Sequence, residues 1–72
     1  MRDKIIAMIE ETLNLSKGSV REDARIEDIK GWDSLAHVLI IGNLESKFGI
    51  SIPLDEAIEI TTVKELLDKA GV

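Results

Sequence analysis

Apolar residues in this chain recur every three or four positions, and that spacing most limits what the chain can fold into. Ile5, Met8, Ile9, Thr12 and Leu13 fall at i, i+3, i+4, i+7 and i+8, the pattern of one helical face. Asp3 suits the positive N-terminal end of that helix. Near the other end, Thr62-Val63-Lys64-Glu65 is a capping-box pattern that starts a last helix. Val63, Leu66, Leu67 and Ala70 form its inward stripe, and Gly71 ends it. Such stripes must build the core alone. The 72 residues include no Cys, so neither a disulfide nor a thiolate metal cluster supports the fold. A chain this short buries only about 60% of the surface its unfolded form exposes. With one Trp, one Phe and no Tyr, the interior is mostly Ile, Leu and Val.

Between the two stripes lies the stretch Gly31-Trp32-Asp33-Ser34-Leu35, where a loop ends and the longest apolar run begins. Gly31 allows a sharp reversal. Asp33 or Ser34 can cap the helix that follows, since both side chains accept from free backbone N–H groups. That helix runs to about Phe48, with Gly49 at the expected left-handed cap. Val38, Ile41, Leu44, Glu45 and Phe48 share one side of it, and Leu39 projects oppositely beside Ala36, Asn43 and Ser46. A helix apolar nearly all round is buried or has a partner.

The rest is connection. From Asn14 to Asp33 the periodicity stops, and a loop of that length in a compact domain needs a reason. Val20, Ile26 and Ile29 are spaced to pin it across the helices. Ile50-Ser51-Ile52-Pro53 is an extended connector with no second strand to pair with. Pro53 opens a short helix over Leu54 to Glu59, with Ala57 and Ile60 toward the core. The expectation is an all-α fold, a four-helix bundle of three main helices and one short one. It forms a single domain over residues 1–72, with a long loop between the first and second helices.

The formal charge of −5 disfavours a nucleic-acid partner, whose phosphates are bound by clustered Lys and Arg. No signal-peptide core follows the N-terminus. The longest unbroken apolar run, Val38 to Ile41, falls far short of the roughly 20 residues that span a bilayer. The expected protein is cytoplasmic, independent of membranes, and monomeric.

Asp33, Ser34 and His37 invite a catalytic-triad reading, which fails on geometry. Adjacent helical residues point roughly 100° apart, so Asp33 is poorly placed to orient His37 behind Ser34. The surroundings of Ser34 also lack the Gly-x-Ser-x-Gly elbow. No catalytic residue is assigned. A single His has no metal-ligand spacing with another His or Cys, so it reads as solvated or partner-facing. Glu22, Asp23, Glu27 and Asp28 lack the order of a calcium loop, and no metal site is assigned. Ser34 then either merely caps its helix or is modified, since a helix N-terminus also stabilises an attached anion.

Asp33-Ser34-Leu35 at the head of a long helix, then Phe48-Gly49-Ile50, Ile52-Pro53 and Ile60-Thr61-Thr62-Val63, resembles the acyl carrier protein family. The likeness spans nearly the whole chain. It implies that Ser34 receives 4'-phosphopantetheine from coenzyme A through a separate, magnesium-dependent phosphopantetheinyl transferase. The arm ends in a thiol that carries acyl groups as thioesters, so the protein binds and delivers while the cofactor supplies the reactive atom. The implied partners are that transferase and enzymes that load and transfer acyl groups.

Carriers of general fatty acid synthesis usually show acids along the outer face of the serine helix and on the short helix. Here those positions hold Leu39, Ser46, Leu54 and Ile58, with Glu45, Asp55, Glu56 and Glu59 nearby. The expected docking surface is therefore apolar, centred on Leu39, Leu54 and Ile58 and completed by Asp33, Leu35, Glu45 and Glu56. It points to a specialised lipid, polyketide or surface-sugar pathway. A carrier of amino acids or peptides uses the same arm, and an armless interaction module would share the fold; both readings stay open. Trp32 is either a contact for the arm or an anchor for the loop.

Overall fold

The computed structural model describes residues 1–72 and contains four α-helices and no strand. Helix α1 covers Arg2–Thr12, α2 Ser34–Phe48, α3 Leu54–Ala57 and α4 Val63–Ala70. The all-α architecture expected from periodicity is thus present, with the long connection between α1 and α2.

Helix α1 buries Ile5, Met8 and Ile9, its apolar stripe, against the other helices. It ends at Thr12 with Leu13 as its cap, and Asn14 beyond them adopts the left-handed conformation (φ 57°) that Asn tolerates better than most residues. The Leu15 N–H then turns back to the Glu10 carbonyl at 2.8 Å. Helix α4 buries Val63, Leu66 and Leu67, and its capping box is complete. Thr62 Oγ1 accepts from the Glu65 N–H at 3.1 Å, and the Glu65 carboxylate accepts from the Thr62 N–H at 3.0 Å. Hydrogen bonds from the Thr61 hydroxyl, then from the Thr61 N–H, hold the Glu65 carboxyl below the usual carboxylate range.

Two features of the helices go beyond or against the sequence reading. The spacing left the inward side of α2 open, and the structure sets it at Ala36, Ile40 and Leu44, between the two sides that were distinguished. Ile40 has no exposed surface, whereas Val38 is open to solvent. The other residues of the expected face divide, with Leu44 buried, Ile41 and Phe48 half-buried and Glu45 exposed. In a helix this apolar, the side facing the core is set by what α1 and α4 present to it. The short helix also ends at Ala57, before the expected Glu59, and Ile58 caps it. Ala57 and Ile60 are buried, as expected.

The long loop is fastened by both apolar and polar contacts. Val20 is buried, and Ile26 and Ile29 pack against the core. A single 3₁₀ turn forms over Ile26–Asp28. Glu10, buried in α1, accepts from the N–H groups of Gly18 at 2.8 Å and Val20 at 3.0 Å. The backbone joins the head of α4, with Ile26 N–H to Thr61 O at 2.9 Å and Val63 N–H to Ala24 O at 3.1 Å. Arg2 connects the chain's ends. It donates to Val72 O and to Asp68 Oδ1, each at 3.0 Å, and pairs with Glu22 of the loop. Together these contacts hold the end of the loop, and with it the head of α2, against the bundle.

Candidate functional site

Ser34 is the first residue of α2, and Asp33 rather than Ser34 is its cap. Asp33 Oδ1 accepts from the Ala36 N–H at 2.8 Å, and Asp33 O accepts from the His37 N–H at 2.9 Å. The N–H groups of Ser34 and Leu35 have no acceptor in the chain, as expected for the first turn of a helix. The Ser34 side chain is exposed, and its hydroxyl makes no hydrogen bond within the protein. An unengaged hydroxyl therefore stands at the positive end of a 15-residue helix.

Beside it runs an open groove of about 420 Å³. Its apolar wall is Ile26, Trp32, Ile58 and Ile60, and its polar lining is Glu27, Asp33, Ser34 and His37. Trp32 is only 7% exposed, so it anchors the loop while one side of it faces this groove. Of the two places expected for His37, solvated or partner-facing, the first does not hold. It is half-buried, its Nδ1 accepts from Trp32 Nε1–H at 2.9 Å, and its Nε2 lies 2.7 Å from the Ala57 carbonyl.

The groove brings Asp33, Ser34 and His37 together, yet they form no catalytic relay. Both imidazole nitrogens are engaged by other groups, so neither is free to take a proton from Ser34. Asp33 spends a carboxylate oxygen on the helix cap. No group of three His, Cys, Asp or Glu residues is arranged to hold a metal ion.

Of the residues expected to meet partners, Asp33 and Ile58 share the groove with Ser34. Leu35 follows Ser34 on α2 and is 70% exposed. Leu39 lies one turn further along the same face. Leu54 at the start of α3 and Ile58 at its cap are 69% and 71% exposed, so they do not cover the core. Glu45 is exposed but sits roughly 16 Å along α2 from Ser34, at 1.5 Å per residue. Glu56 is exposed and lies 3.7 Å from Lys69 of α4. Leu39, Glu45, Leu54 and Glu56 do not line the groove. Ile26, Glu27, His37 and Ile60 do, and sequence reasoning gave them no part in the site. Only the apolar spacing of Ile26 and the proximity of His37 to Ser34 signalled them.

The fold and the site are thus a small helical bundle with an unengaged serine at a helix head beside an open groove. The model of the family described as "phosphopantetheine attachment site" matches residues 3–69. The acyl carrier proteins of Rickettsia canadensis and Rickettsia prowazekii are each 41% identical over 68 residues, covering 93% of this chain and 78% of theirs. A solved structure described as an acyl carrier protein, from Mycobacterium tuberculosis, superposes with a TM-score of 0.87 at 28% identity. That match covers 97% of this chain and 93% of the other. The chain belongs to the acyl carrier protein family, which carries acyl groups on a 4'-phosphopantetheine prosthetic group. It is a carrier and not an enzyme, and it works with phosphopantetheinyl transferases and acyl-handling enzymes. No helix is long and apolar enough to cross a membrane.

Proposed function

We propose that Ser34 is the attachment point of the 4'-phosphopantetheine arm. The observation that carries this reading is the unengaged, solvent-facing hydroxyl of Ser34 at the N-terminus of α2. The residues around it fit the group. The free N–H groups of Ser34 and Leu35 and the helix dipole favour a phosphodiester there. The groove beside Ser34 gives an extended chain both apolar and polar surface to lie on. When bound, the arm supplies a thiol that holds an acyl group as a thioester, which this Cys-free chain does not itself provide. Tethering at Ser34 raises the cargo's effective concentration at a docked enzyme.

Incubation with coenzyme A and a broad-specificity transferase tests the assignment. The expected result is a mass gain of one phosphopantetheine in the wild type and none in Ser34→Ala. A gain that persists in the variant assigns the arm elsewhere. No gain in the wild type leaves an armless interaction module.

Partners dock, in this reading, on Asp33, Leu35, Leu39, Glu45, Leu54, Glu56 and Ile58. The exposure of Leu35, Leu54 and Ile58 supports an apolar contact, because three aliphatic side chains in solvent ask for a covering surface. That composition favours enzymes of a specialised pathway over bulk fatty acid synthesis. The carrier works as a cytoplasmic monomer and a single domain over residues 1–72, free to visit several enzymes in turn. Leu54→Asp with Ile58→Asp should preserve pantetheinylation and the melting temperature while slowing acyl loading by the cognate enzyme at least tenfold. Unchanged loading removes those two residues from the docking surface.

A further inference from the structure

His37 is held at both ring nitrogens by groups from two other parts of the chain. Trp32 Nε1–H reaches Nδ1 from the loop, and the Ala57 carbonyl faces Nε2 from the end of α3. An indole N–H only donates and a carbonyl only accepts. The ring is therefore neutral, with its proton on Nε2 donating to Ala57. The indole and imidazole rings are tilted by 38° with centroids 6.0 Å apart, so their contact is the hydrogen bond rather than a stack. Both rings line the groove beside Ser34, and Ile58, which follows Ala57, lines it too.

A proton added at Nδ1 converts the acceptor into a donor aimed at the indole N–H. The two hydrogens cannot share that line, whereas Nε2–H still donates to Ala57 O. We propose that His37 is a positioning residue that acts as a protonation-sensitive latch on the groove beside Ser34. Neutral, it holds Trp32 of the loop to α3. Protonated, it keeps α3 and releases Trp32, and the groove loses that wall.

The charged groups around the ring are few. Glu27 of the 3₁₀ turn and Asp33 of the cap line the groove with it, and no Lys or Arg does. The acids of α3, Asp55 and Glu56, and Glu59 just after it are exposed, and Lys69 of α4 faces Glu56. A protonated Nδ1 donates, so what can replace Trp32 there is an acceptor, and Glu27 and Asp33 are the carboxylates lining the same groove. The inference does not require the arm to sit on Ser34, and the unmodified full chain suffices to test it.

Nitrogen-15 NMR between about pH 5 and 8, where imidazoles change charge, reads the latch directly. At the upper end the ring shifts should mark a protonated Nε2 and a bare Nδ1. As pH falls, the Trp32 indole N–H and the amides of Trp32 to Ser34 should move with the midpoint of the His37 ring. The amides of Ile5 and Leu67 in the core should stay still. His37→Gln keeps a donor near the Nε2 position and does not titrate, so its indole resonance should be flat over that range. Trp32→Phe keeps the ring but lacks the donor, so the loop amides should no longer follow His37. A proton on Nδ1 at high pH, an indole resonance unmoved as the ring titrates, or an unchanged response in either variant overturns the latch.

Discussion

Asp33 Oδ1 accepts from the Ala36 N–H at 2.8 Å, and that bond relieves Ser34 of the cap. Either residue could have capped α2 on chemical grounds, and the backbone chose the one that leaves the serine free. Asp33→Ala should lower stability by about 0.5–2 kcal/mol, the usual loss of an N-cap, and Asp33→Asn by less. Ser34→Ala should stay within about 0.5 kcal/mol of wild type, as for exposed positions without a structural role. Urea unfolding of the three variants checks both. A large loss in Ser34→Ala would mean that the hydroxyl supports the fold.

Glu10 holds the loop from inside. Its carboxylate is buried and accepts from two backbone N–H groups, those of Gly18 and Val20. Glu10→Ala leaves both donors unmet and should destabilise the chain by about 1–3 kcal/mol for each that stays dry. For a domain of this size, each kcal/mol lowers the melting temperature by about 4–8 °C. Calorimetry reads the loss. Faster amide exchange at Gly18 and Val20 than in α4 should accompany it, because the loop is released before the bundle.

Ile40 and Val38 make a paired test of the α2 interface. Ile40 is fully buried and Val38 is 57% exposed. Ile40→Ala should cost about 2–5 kcal/mol through lost burial and a residual cavity. Val38→Ala should cost less than about 0.5 kcal/mol. Equal losses would place the inward face of α2 where the spacing of Val38, Ile41 and Leu44 alone points.

That pair also marks what the sequence could convey. The stripes of α1 and α4 were legible because each sits on a helix whose opposite face is mostly polar, so one side is favoured to turn inward. Helix α2 is apolar around most of its girth, and its rotation depends on residues distant in sequence. The place of Ser34 at the head of α2 was legible through its neighbours and the landmarks after it. The placement of His37 was not, because both its partners, Trp32 and Ala57, become neighbours only when loop, α2 and α3 meet. Glu10 was hidden for a similar reason. It reads as one more surface acid until the loop closes over it, and the β-bridge between Arg25 and Thr62 likewise exists only in the folded chain.

Glu65 gives the fold a local sensitivity to acid. Hydrogen bonds from the Thr61 hydroxyl, the Thr61 N–H and the Thr62 cap favour its charged form and hold its carboxyl below the ordinary value of 4.5. A carboxyl depressed in the folded state binds its proton more readily once unfolded. It therefore contributes stability that is fully present above pH 4.5 and fades as pH falls through the lower folded value. Glu65→Gln should weaken the cap near pH 7 and narrow the gap to wild type below pH 4. Because Glu65 is exposed, water competes for its carboxylate and the effect should be small. Melting curves from pH 3 to 7 for wild type and variant decide it. Parallel curves across that range would show that the capping box does not depend on the charge of Glu65.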